Sequence, residues 1–333
     1  MKKLMLAGAV AAALGMSSMA SAEGNYILAT ASTGGTYYPV GVAISTLTKI
    51  KLQPRQKIGM SAINSAGSGE NLRLLREGEA QFAILQGLYG YYGYQGVGPV
   101  EKDGPQTHLR SVSMLWQNVE HYLVDSKFAK TGTVDDIVGL KGETLAMGKQ
   151  NSGTIGSNAA IMGNLGLDIY NDVSLMHAGY GPSADALQNG QVAGVGIPAG
   201  VPVGAITKLK AAAGDSVTLL SMTPEQQKRA DGGFELWTPF TIAAGTYPGQ
   251  DADIQTVAQP NFMATHADVN EEDVYLITKT IYENLPFLNG IHPATKAMAL
   301  EKAIAGLPAP LHPGAARFYQ EQGLNIPARL IAN

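Results

Sequence analysis

The chain has no cysteine in its 333 residues. Disulfides, thiolate nucleophiles and cysteine metal sites are therefore excluded. A chain of this length can do without such staples because it buries a large core, and the length suggests two domains. Basic charge is also in short supply. Lys and Arg number 23 against 27 Asp and Glu, for a formal net charge of −4. That balance argues against nucleic acid, which demands a basic face. Aromatic residues make up only 7% of the chain, whereas glycine occurs 40 times. Much of the glycine sits at strand–helix junctions, as α/β folds with ligand-facing loops require. Beyond the N-terminus no stretch is apolar enough to span a bilayer.

The N-terminus carries an address. Lys2 and Lys3 form a positive region, residues 4–16 are apolar apart from glycine, and Ala20-Ser21-Ala22 supplies a small-x-small cleavage pattern. This predicts a secretory signal peptide over 1–22. A membrane anchor is the weaker reading, because the apolar stretch falls short of the roughly 20 residues a bilayer needs. With no lipobox cysteine, a lipid anchor is excluded. The mature chain is expected to be soluble, monomeric and periplasmic.

The remainder alternates strand, polar loop and helix. Strands are expected at 26–30, 57–63 and 81–85, the last ending on Gln86, with helices at 39–50 and 70–77. Residues 89–105, with four tyrosines among glycines, read as an irregular excursion. Extended chain at 109–124 is expected to cross into a second α/β unit. There the strands are 144–148, 173–176, 192–197 and 217–220, and the helices 155–165, 182–189 and 201–213. A return crossing at 234–244 leads to a strand at 256–265 and helices at 269–285 and 293–304. The pattern predicts mostly parallel sheets with helices on their faces. Two crossings imply a bilobal α/β clamp. One lobe is discontinuous, 23–117 and 240–333; the other is 118–239.

Three turns each follow a strand and open a helix: Ser32-Thr33-Gly34-Gly35-Thr36-Tyr37, Ser65-Ala66-Gly67-Ser68-Gly69 and Asn151-Ser152-Gly153-Thr154. Glycine allows close backbone approach, and the first-turn N–H groups attract an anion. Ordinary helix capping uses the same residues, but three such turns from both lobes favour a ligand. A carboxylate is expected on the N-terminus of the 155–165 helix, with the Ser152 and Thr154 hydroxyls donating. Gln86, Gly69, Gly153 and Tyr37 are further candidate contacts; Glu70 and Asn71 are read as either ligand contacts or caps. Arg73 and Arg76 are expected to face solvent, with an arginine clamp formed by Arg73 reaching back to the cleft as the alternative.

Enzyme signatures fail. Gly194-Val195-Gly196-Ile197-Pro198-Ala199 has the glycines of a dinucleotide loop, but Pro198 interrupts the turn that would open a helix. No Gly-x-Ser-x-Gly elbow is present. His108, His121, His177, His266, His292 and His312 do not pair at metal-ligand spacing and are read as structural or surface residues. No metal, cofactor or catalytic residue is expected.

Thr33-Gly34-Gly35-Thr36-Tyr37-Tyr38-Pro39-Val40-Gly41 closely resembles the first-turn signature of the TAXI family, the solute receptors of one branch of tripartite ATP-independent periplasmic (TRAP) transporters. Residues 64–71, 151–158, 244–250 and 310–315 are similar to that family too, so the resemblance spans the mature chain. It implies a type II periplasmic-binding-protein fold, a small organic acid or acidic amino acid as ligand, and a sodium-coupled TRAP permease as partner. By matching positions it implies that Thr36, Tyr37, Ser68, Gln86, Ser152, Thr154 and Asn158 lie at or near the ligand. Ile155-Gly156 and Pro202-Val203-Gly204-Ala205 depart from the family's usual residues close to the expected cleft. An exported sensory receptor, or an enzyme on the same fold, is the alternative.

Overall fold

A computed structural model describes residues 24–332; the signal peptide expected at 1–22 lies outside the described residues. Strands β1 (Gly24–Ala29) and β2 (Ile58–Ile63) pair in parallel. Between them, α1 (Tyr37–Gln56) turns Val40, Ile44 and Leu47 inward at helical spacing. Next come α2 (Ser68–Arg76) and β3 (Phe82–Gln86). β3 pairs in parallel with β1 and is buried along its whole length, as a strand covered on both faces must be.

The expected irregular excursion at 89–105 is instead a helix, α3 (Gly87–Gln95), followed by a 3₁₀ turn over Gly98–Asp103. Its glycines are contact points. A Cβ on Gly93 would meet the Leu72 side chain at 2.7 Å. Close packing thus overrides the poor helix propensity of glycine.

β4 (Leu109–Val119) leads through the buried pair Glu120 and His121 into β5 (Tyr122–Asp125). There follow α4 (Asp135–Val138), β6 (Thr144–Ala146), α5 (Gly153–Leu165), β7 (Ser174–Leu175) and α6 (Tyr180–Gln188). β8 (Gly194–Gly196), α7 (Gly204–Ala213) and β9 (Val217–Leu219) complete a second sheet of order β7-β6-β8-β5-β9. Leu145, Ile161 and Met162 pack in one apolar cluster of this lobe; Val195, Ile206 and Leu209 pack in another. The sequence reading does not include α8 (Pro224–Asp231), although Thr223 and Gln226 form a capping box at its start.

β10 (Thr238–Ile242) and β11 (Ile254–His266) return the chain to the first sheet, where β11 runs antiparallel to β3, β4 and β10. α9 (Glu271–Glu283), α10 (Leu285–Ile291) and α11 (Pro313–Glu321) close the chain. The single helix expected at 269–285 ends at Glu283, because Pro286 lacks the N–H that would bond Tyr282 O and its ring would clash with that carbonyl; a new helix starts around it. The helix expected at 293–304 is two 3₁₀ turns, Pro293–Ala297 and Leu300–Lys302, separated by extended backbone at Met298 and Ala299. Among the described residues no helix is long and apolar enough to cross a membrane.

Candidate functional site

The strands β1, β2, β3, β6 and β8 all point their carboxyl ends at one crevice, the position at which open α/β sheets bind ligands. A cavity of about 30 Å³ lies there. Its wall includes Thr36, Tyr37, Ser68, Gln86, Gly153 and Thr154 from the sequence-predicted set. Gly69, Ser152 and Asn158 are not part of the wall. No charged side chain lines the cavity.

The N-termini of α1, α2, α3, α5 and α6 converge on this space, through Thr36, Ser68, Gln86, Gly153 and Tyr180. Each contributes unpaired first-turn N–H groups and part of a positive charge. At α5, Ser152 Oγ accepts from Ile155 N–H at 3.1 Å and donates to Lys149 O at 2.7 Å. The N–H groups of Gly153 and Thr154 have no other acceptor among the described residues. At α2, the N-cap Gly67 has φ +124°, a conformation that favours glycine.

The hydroxyl chemistry differs from the sequence expectation. Tyr180 Oη donates to Pro198 O at 2.5 Å, so the Thr154 hydroxyl, 2.9 Å away, donates to Tyr180. The Thr36 hydroxyl donates to Gly200 O at 3.1 Å. Neither the Ser152 nor the Thr154 hydroxyl therefore has its hydrogen free for a carboxylate. The donors that remain on the wall are backbone N–H groups and the hydroxyls of Ser32 and Ser68, the latter accepting from Gln86 N–H at 3.1 Å. Thr154→Ala is accordingly expected to change affinity by less than about threefold, under about 0.7 kcal/mol, which calorimetry will show.

Asn158 lies off the wall, donating to Met147 O and Gly196 O at 3.0 and 3.1 Å, while its Oδ1 has no partner among the described residues. Glu70 accepts from Ala66 N–H, capping its own turn. Asn71, fully buried, donates to Thr30 O and Ile84 O and accepts from Ser65 Oγ, locking the ends of β1 and β3 to the second turn. Each of these three buried hydrogen bonds contributes about 1 kcal/mol. Asn71→Ala is expected to lower unfolding free energy by about 3 kcal/mol in urea titrations. Arg73 pairs with Glu77 and Glu79 on the surface and supplies no clamp.

Several contacts join the two sides of the crevice. Glu70 N–H donates to Asn151 O at 2.8 Å, and Gln86 Nε2 to Gly153 O at 2.8 Å. Asn118 Nδ2 donates to Gln86 Oε1 at 3.2 Å. Tyr37 donates to Asn261 Oδ1. Burial pushes the Tyr37 and Tyr180 hydroxyls well above the usual phenol range, so both stay neutral donors. Tyr180 and Asn118 line the cavity and are absent from the sequence expectation. A strand, a glycine and then a helix start at 173–182, the signal used for the other turns, would have found Tyr180. Asn118 carries no such signal. Among the described residues no three His, Asp or Glu side chains cluster as a metal site.

These two α/β lobes, with a polar crevice at the strand ends, define a bilobal periplasmic-binding-protein fold. The chain belongs to the NMT1-like family, whose profile matches residues 28–323. Among solved structures it is similar to MatC from Rhodopseudomonas palustris with bound malate. That match has 14% identity over 89% of this chain and 98% of that one, at TM-score 0.59. It is also similar to a protein of Bordetella bronchiseptica RB50, at 16% identity over 89% of this chain and 82% of that one, TM-score 0.52. At these identities the likeness is one of fold.

Proposed function

We propose that the protein is an extracytoplasmic solute receptor of the TAXI type that captures a small carboxylate-bearing nutrient and hands it to a sodium-coupled TRAP permease. The observation that carries this reading is the convergence of helix N-termini from both lobes on a crevice without a charged side chain. Such a crevice suits a small anion held by N–H groups. Thr36, Tyr37, Ser68, Gln86, Gly153 and Thr154, with Tyr180 and Asn118, form the proposed contact surface; Gly69, Ser152 and Asn158 act behind it. The malate in MatC supports the ligand class by analogy of fold alone. The protein is proposed to bind without catalysing a reaction.

A space of about 30 Å³ holds a water or two. An organic acid therefore enters only when the lobes part, and the crossings act as hinges. Native mass spectrometry of protein purified from the periplasm identifies the ligand, and edman sequencing of the same sample is expected to begin at Glu23. At about a hundred times its dissociation constant that ligand is expected to stabilise the fold by about 2.7 kcal/mol. No thermal shift with any of a panel of dicarboxylates, keto acids and amino acids would sink the carboxylate assignment.

A further inference from the structure

The first crossing between the lobes carries a carboxyl group that the ligand reading does not use. Glu120 is 1% exposed. Its Oε1 accepts from Trp237 Nε1 at 3.2 Å, while Oε2 has no hydrogen-bond partner among the described residues. The backbone is pinned on both sides: Glu120 N–H donates to Val257 O at 3.0 Å, and its carbonyl accepts from Thr256 Oγ1 at 2.8 Å. The side chain is therefore held where it is, two residues along from Asn118 on the cavity wall.

The groups around it are named readily. Gln259 of β11 and Ser157 of α5 stand near enough to offset part of the burial, though neither makes a hydrogen bond to Oε2. Its charge acts on the hydroxyls of Tyr37 of α1, Tyr122 of β5 and Tyr180 of α6. Tyr37 and Tyr180 also form the cavity wall. The adjoining His121 is pushed down to about 4 by burial. All three tyrosines are pushed up. None of these neighbours changes charge between about pH 7 and about pH 9. Burial pushes Glu120 itself up to about 8. No Lys or Arg is among the groups that act on it. An anion in the cavity and an ionised Glu120 would thus both act on the Tyr37 and Tyr180 hydroxyls in a water-poor medium, where like charges repel strongly.

We propose that Glu120 sets the charge the cleft accepts: as the uncharged acid it admits an anion, and once ionised it rejects one, so that each anion bound at high pH brings a proton with it. This rests on the anion reading above. The proton adds to the Glu120 carboxylate and is released when the ligand leaves; no other bond changes.

Calorimetric titration of the mature chain with succinate, L-malate and L-glutamate tests it. Measurements at about pH 7 and about pH 9, each in two buffers of different ionisation heat, count the protons taken up. The expected result for the wild type is a dissociation constant about tenfold higher at the upper pH, with uptake approaching one proton per anion. Glu120→Gln keeps the shape of the neutral acid. It is expected to remove both effects, and comparison with it cancels any titration of the probe itself. A wild type with flat affinity and no proton uptake overturns the proposal without recourse to the variant. So does a folded variant that keeps the wild-type dependence; the anion reading survives both outcomes. If none of the three acids binds at either pH, the anion reading falls and this inference with it.

Discussion

Gly69→Ala is expected to weaken ligand binding by about a hundredfold while leaving both lobes folded. Gly69 lies in the first turn of α2, where alanine suits the backbone. A Cβ there would stand 2.5 Å from Asn151 O and 3.0 Å from Asn151 C, atoms of the opposite lobe's backbone. No side-chain rotation relieves that contact; only lobe separation does. Overpacking costs about 1–3 kcal/mol, and the lost Glu70-to-Asn151 bond about 1 more. Together these amount to roughly two decades in affinity. Gly153 and Gly156 make close contacts from the other lobe against side chains, with Cβ positions 2.8 Å from Gln86 Cδ and 2.5 Å from the Tyr89 hydroxyl. Small-angle scattering of the variant should report a longer maximum dimension than the wild type, with an unchanged melting temperature. Unaltered affinity would mean that the ligand is held with this seam open.

Glu120→Gln is expected to stabilise the protein by about 4 kcal/mol at pH 8 and above, relative to its effect near pH 4. Burial pushes the folded carboxyl up to about 8 from its ordinary value of 4.5. Between those values the native state holds a proton that the unfolded chain has released. Stability from this group is therefore complete below about pH 4.5 and is lost as pH rises to about 8. His121 works in the opposite sense. Burial lowers it from 6.5 to about 4, so its contribution is present above 6.5 and is lost as pH falls through about 4. The two slopes oppose one another in mild acid. Above about pH 6.5 only the Glu120 loss remains, and the variant should be flat there in urea melts. A wild-type stability that does not fall between pH 6.5 and 8.5 would show that the carboxyl is already ionised at neutrality.

The turns that line the crevice are legible in the sequence because their cause is local. A strand, a glycine turn and a helix start place a loop at a strand's carboxyl end whatever the rest of the chain does. Thr36, Ser68, Gln86 and Gly153 were accessible for that reason. Side-chain roles were less so. Ser152 and Thr154 read as donors to a ligand, but their hydrogens go to Lys149 O and the Tyr180 hydroxyl, partners set by how the following loops pack. Gly69 read as a ligand contact, whereas it meets Asn151 of the other lobe. α3 was missed because four tyrosines among glycines carry no helical period. Its glycines make sense only against Leu72, Phe262 and Pro308, which are distant in sequence or lie on another element. The NMT1-like profile places the chain at family level; the narrower TAXI resemblance belongs to the proposal.

β11 has a consequence for how the chain assembles. It bonds β3 and β10 along one edge and β4 along the other, so it is the strand that holds the first sheet together. Yet it comes after the whole second lobe in sequence. Until residue 254 onward is available, β4 has, among the described residues, only the single bridge of Val119 to Ala199, and β3 has only β1. Such long-range pairing makes folding slow. The contiguous lobe can form early, whereas the N-terminal strands must wait as an incomplete sheet for a late-arriving segment. A chain built this way stays threadable for longer than one whose first domain closes as soon as it is made.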